Sequence, residues 1–239
     1  FYGGTPPQAF EIFGTRFDTL VASAGWSYDS RNRALFADRG ARLGASVGFT
    51  IPGSDVEYWT AAANYLQFVP LPLKLAFMFN AEINYGEALG DTTALAPYQR
   101  WYAGGPDSIR GYRESRLGPK DSFGNPYGGN LKTVAQAEIL FPMPEKWRNS
   151  ARFSLFYDIG GVFAVNDDTQ FVGSDRITPV DYGFGYDKLK RSAGVAVQWL
   201  APLGVFRFSY AIPLNANPAD GVYYEDEREG FQFSIGQAF

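Results

Sequence analysis

The two side chains that carry most nucleophilic and metal chemistry are missing, since the 239 residues include no histidine and no cysteine. Ser-His and Cys-His pairs, His-ligated metals and disulfides are thereby excluded. Carboxylates and arginines remain. One arginine has unusual surroundings: Arg110 stands in Gly104-Gly105-Pro106-Asp107-Ser108-Ile109-Arg110-Gly111-Tyr112, with Leu117-Gly118-Pro119 following. Gly105 and Gly111 let the backbone turn sharply and pack closely. A guanidinium in a confined space needs carboxylate partners, because an unpaired buried charge is expensive.

The elements that must position this segment are strands. Period-two alternation recurs in nine segments, at about 17–30, 40–52, 56–69, 73–88, 131–142, 151–165, 189–201, 205–213 and 229–239. Within them Phe77, Phe79, Val195, Val197, Phe206, Phe208, Phe231 and Phe233 share one face, and Gln136, Glu138, Asp158, Gln198 and Arg207 share the other. Short turns near 53, 71, 145 and 203 are set against longer loops near 35, 110, 176 and 220, the asymmetry of outer-membrane barrels. The stretch 90–130 is too long for a hairpin connection and is expected to be functional. Trp26, Tyr28, Trp101, Tyr102, Trp147 and Trp199, near strand ends, suit interfacial girdles.

Composition agrees. Aromatics reach 17% while mean hydropathy is slightly negative, as expected when one strand face meets lipid and the other a polar lumen. No run approaches the length of a transmembrane helix, so any membrane crossing is by strands, which must close into a barrel. A soluble β-sandwich is the rival fold. It fits less well, because several segments exceed ten residues where soluble strands have about five or six. A net charge of −4 with mixed signs gives no case for nucleic acid. The opening Phe1-Tyr2-Gly3-Gly4 is neither a signal peptide nor an initiator, and residues 1–239 read as one internal piece of a longer protein.

The segment Ile109-Arg110-Gly111-Tyr112 resembles the loop signature of the BamA superfamily of outer-membrane assembly factors. Three further stretches resemble the BamA family in particular: Ile51-Pro52-Gly53-Ser54-Asp55, Trp199-Leu200-Ala201-Pro202-Leu203-Gly204, and the terminal Phe231-Gln232-Phe233-Ser234-Ile235-Gly236 with its aromatic end at Phe239. They favour that family over its relatives for autotransporter assembly and two-partner secretion. The resemblance implies an all-β fold, an antiparallel transmembrane barrel fragment corresponding to the last nine strands of a 16-stranded barrel, with POTRA domains and earlier strands absent. It implies a location in the Gram-negative outer membrane. Implied partners are the lipid bilayer, client β-barrel proteins and accessory lipoproteins, the last mainly through POTRA domains. No cofactor, metal or catalytic residue is implied. In the family the loop arginine binds wall carboxylates, which points to Arg110 with Glu138 and Asp158. The last strand, with Phe231, Phe233, Ile235, Gly236 and Phe239, is implied as one side of a lateral seam. A passive porin is the remaining alternative, but it does not require an Arg-Gly motif on a loop long enough to reach its own wall.

Overall fold

The computed structural model describes residues 18–148, 150–167 and 169–236. Phe239, assigned above to the seam, lies outside the described residues. Nine strands form one sheet: β1 (Val21–Asp29), β2 (Gly40–Thr50), β3 (Tyr58–Pro70), β4 (Ala76–Ala88), β6 (Leu131–Phe141), β7 (Ala151–Phe163), β8 (Lys190–Ala201), β9 (Gly204–Pro213) and β11 (Phe231–Gly236). Two short strands, β5 (Gly111–Tyr112) and β10 (Arg228–Glu229), pair with each other as a separate two-stranded sheet. The sheet order is β1-β2-β3-β4-β6-β7-β8-β9-β11, with every neighbouring pair antiparallel. It is an up-and-down meander whose outermost strands, β1 and β11, have one neighbour each among the described residues.

Alternation sets the faces. Register pairs Leu155 with Val195, Val197 with Phe208 and Phe208 with Phe233, so apolar side chains run across strands on one side. That side is bare: Ile83 is 52% exposed, Val195 40% and Phe231 61%. A continuous apolar face of this extent is stable only against an apolar medium. The opposite, concave side carries Gln136, Glu138, Asp158, Gln198 and Arg207, and Glu138 and Asp158 are almost fully buried beneath chain folded over them.

Two expectations are corrected. In a meander successive connections alternate ends, whatever their length. Turns near 53 and 71 are consecutive and so lie at opposite ends. The segment 30–39 shares its end with the short connections 71–75, 142–150 and Pro202–Leu203, and 51–57 joins the end of the long loops. The segment 30–39 also folds inward. Ala37 is buried with Phe68, Ala76 and Leu140, and the Arg152 guanidinium donates to the Ala37 carbonyl at 2.8 Å. Trp101 and Tyr102 are not girdle residues either. They belong to the infolded loop: the Trp101 backbone pairs with Gly129, its indole lies over luminal Gly86, and the Tyr102 hydroxyl reaches the carbonyls of Pro97 and Tyr127. Their aromatic character serves loop packing. Trp26, Tyr28 and Trp199 do stand on the exposed outer face.

Candidate functional site: an arginine held in the lumen

The connection between β4 and β6, residues 89–130, turns back over the concave face. Its tip is a hairpin closed by the Gly105 amide donating to the Tyr112 carbonyl at 2.9 Å, and the Ser108 hydroxyl donates to the Gly104 carbonyl at 2.9 Å. Gly104 adopts φ +98°, and a Cβ there would stand 2.3 Å from the Arg113 carbonyl oxygen. No larger residue fits that turn. Ile109, Tyr112 and Leu117 are buried against Val134 of β6 and Val162 of β7, which seats the tip on the wall.

Arg110 lies within this hairpin and meets three side chains of β6 and β7, with Gln136 beside them. Register places Gln136 beside Asp158 and Glu138 beside Phe156, a two-by-two patch of luminal positions. The guanidinium grips Asp158 with two bonds, Nε to Oδ2 and Nη2 to Oδ1, each 2.7 Å, and the Arg110 amide donates to the same Oδ2 at 3.1 Å. Nη1 lies 2.6 Å from Glu138 Oε1. The guanidinium carbon is 3.4 Å from the centre of the Phe156 ring, a cation–π stack. Gln136 extends the seat by donating to the Ser108 carbonyl at 2.7 Å while accepting from Asn80 at 2.9 Å.

Burial decides how much this matters. Arg110 is 6% exposed, Glu138 4% and Asp158 0%. Ion pairs on the surface, such as Arg207 with Asp107, contribute roughly 0–1 kcal/mol. Removing one member of a buried set costs about 3–5 kcal/mol, because the survivors stay desolvated and unpaired. Here one cation faces two carboxylates, and Glu138 Oε2 has no hydrogen-bond partner among the described residues. Losing Arg110 would strand two adjacent negative charges. Both oxygens of Asp158 are engaged by Arg110, so neither is free to act as a base. The described residues contain no group of three or more candidate metal ligands.

The match to known proteins follows the same lines. The profile of the Omp85 superfamily domain matches residues 8–239. The chain belongs to the Omp85 superfamily. It is 36% identical, over 91% of its length, to the outer membrane protein assembly factor BamA of Neisseria meningitidis serogroup B, of which it covers 28%. A SAM50-like protein of Drosophila melanogaster is 27% identical over 89% of the chain and is covered to 44%. The crystal structure of Haemophilus ducreyi BamA lacking POTRA domains 1–3 superposes with a TM-score of 0.76 at 29% identity, over 92% of this chain and 42% of that one. The chain thus spans less than half the length of these relatives.

Within this Omp85 domain, the structure adds contacts that motif reading passed over. Gln232 of β11 is 3% exposed and clamps the motif: its Nε2 donates to the Tyr112 carbonyl at 2.7 Å, and its Oε1 accepts from the Gly111 amide at 3.2 Å. A side-chain amide here copies the donor–acceptor pair of a neighbouring strand. Gly111 has φ +89°, and a Cβ there would meet Ala211 at 3.0 Å. The Tyr112 hydroxyl lies 3.2 Å from the Arg191 carbonyl and 3.3 Å from Asn215 Oδ1, and burial pushes this phenol up to about 12. Glu227, one residue before β10, pairs with Arg113 at 2.8 Å and with Arg116 at 3.3 Å. Deeper in the loop, Arg100 and Asp167 form a pair at 2.7 Å with both side chains almost fully buried. The signal for Gln232 was its inward parity on the last strand. Nothing local marked Arg100 or Asp167, which are 67 positions apart in the chain. Of the residues expected at a seam, Phe231, Phe233 and Ile235 face outward on β11, and Gly236 ends that strand.

Proposed function

We propose that this chain is the C-terminal barrel portion of an outer-membrane protein assembly factor, which folds client β-barrels into the outer membrane of a Gram-negative bacterium. The observation that carries the reading is the loop pinned inside the lumen by Arg110 between Glu138 and Asp158, in a chain of the Omp85 superfamily. A passive pore does not require an Arg-Gly motif on a loop long enough to reach its own wall. Relatives named as assembly factors in bacteria support the same role.

The mechanism needs no covalent step. Among the described residues β11 pairs with β9 alone, and its other edge presents backbone donors and acceptors to an incoming strand. A client strand adds there by β-augmentation. Gly236 contributes no side-chain packing, which keeps this end of the edge weakly held. Phe231, Phe233 and Ile235 line the membrane side of the same edge. The bilayer and client barrels are the partners of this part, and accessory lipoproteins act through other parts of the protein.

Liposomes containing the full-length protein provide the test. An unfolded client barrel is added, and folded protein is read as the band that migrates differently without heating. We expect folding roughly tenfold faster than in protein-free liposomes. Equal rates would reject the assembly role.

A further inference from the structure

Charge is divided between the two ends of the sheet. The short-connection segments 30–39, 71–75, 142–150 and 202–203 hold six lysines and arginines against two acids. The opposite segments, 51–57, 89–130, 164–189 and 214–230, hold sixteen acids against eight bases. At the short-connection end, a cleft of about 570 Å³ opens between the infolded segment 30–39 and the turns at 71–75 and 142–150. Arg33, Arg39, Lys74, Arg148 and Arg152 line it, with Asp38 the single acid. None of these five cations is in an ion pair among the described residues, although the chain as a whole is acidic.

Arg152 is the most telling. It is partly buried on the luminal face of β7, where it donates to the Ala37 carbonyl and its guanidinium lies over the rings of Phe36 and Phe68. Glu138 and Asp38 act on it through space but neither forms an ion pair with it, so a cation taken this far from water keeps donors for an anion from outside the chain. The cleft is also amphipathic. Leu75 and Phe141 line it, and Phe141 packs on Phe153 on the lipid-facing side of the sheet. It therefore straddles the rim where the apolar face ends and the polar turns begin.

We propose that this cleft binds the phosphate headgroup of an anionic phospholipid from the leaflet at the short-connection end, the periplasmic side in barrels of this kind. Arg33, Arg39, Lys74 and Arg148 surround the phosphate, Arg152 anchors it from within, and an acyl chain lies along Phe141 and Phe153. Lipid is favoured over a soluble anion because the same cleft offers cations and membrane-facing apolar side chains. Arginine suits phosphate through its planar pair of donors.

Native mass spectrometry of the full-length protein in detergent, with phosphatidylglycerol or phosphatidylethanolamine added, tests this separately from client folding. We expect phosphatidylglycerol adducts to outlast phosphatidylethanolamine adducts, and retention to fall roughly tenfold in Arg33→Gln/Arg39→Gln/Arg148→Gln. The same substitutions made singly, each expected to weaken retention, serve if the triple variant does not fold. Arg176→Gln at the opposite end should change nothing. Equal retention of the two lipids, or undiminished retention in the single and triple variants, would overturn the proposal. So would displacement of the lipid by excess inorganic phosphate, which would mark a site for free phosphate.

Discussion

Arg110 holds two carboxylates that are themselves out of water, so the three residues do not contribute equally. Asp158 receives two of the three guanidinium nitrogens and the Arg110 amide, whereas Glu138 receives the third nitrogen and leaves an oxygen unpartnered. Asp158→Asn in the full-length protein should therefore lower the temperature at which the folded gel band is lost by more than Glu138→Gln does. The reverse order would show that Glu138 is the principal anchor. Arg110→Ala should be the most damaging of the three, by about 3–5 kcal/mol, since it strands both acids. Arg110→Lys should recover part of this, because an ammonium neutralises charge but cannot make the paired contact or the same stack on Phe156. Complete recovery with Lys would mean that charge alone matters. The participants were legible in sequence through a glycine-flanked arginine and inward parity at 138 and 158. The stack on Phe156 was not, because parity places an aromatic in the lumen without saying what covers it.

At the scale of elements, the infolded loop and the last strand act as one piece. β5 pairs with β10, and Gln232 of β11 fastens the Gly111 amide and Tyr112 carbonyl, so the motif touches the edge strand directly and through its approach. Gln232→Leu removes both bonds while keeping the bulk. Hydrogen exchange should speed up at Gly111 and across Phe231–Gly236, with β6 and β7 unaffected and the Arg110 contacts intact. Unchanged exchange in β11 would show that loop and edge are independent. Such coupling is hard to see in sequence, because the partners are about 120 positions apart and an inward glutamine is ordinary on a luminal face. The strands themselves were plain from alternation. The end at which each connection lies was misjudged for the segments near 35 and 53, because loop length was weighed where strand count decides.

On the scale of the whole molecule, an apolar outer face and two outermost strands with one neighbour each among the described residues cannot rest in water. The 239-residue chain alone, transferred from detergent to plain buffer, should pair edge to edge or aggregate, as read by light scattering. A monodisperse monomer would contradict a membrane-facing sheet. The fold class was legible because lipid on one side and lumen on the other impose alternation on every strand. The burial of the long loop depends instead on contacts from several distant elements, as Arg100 with Asp167 and Glu227 with Arg113 illustrate.

The central claim is that assembly of client barrels depends on the loop being fastened in the lumen. The direct measurement is the client-folding rate in liposomes containing full-length protein, wild type against Arg110→Ala and Arg110→Lys, at matched amounts of inserted and folded protein. The account predicts a loss of roughly tenfold for Arg110→Ala with partial return for Arg110→Lys. Equal rates for wild type and Arg110→Ala would contradict it, leaving the cluster a structural feature without a part in assembly.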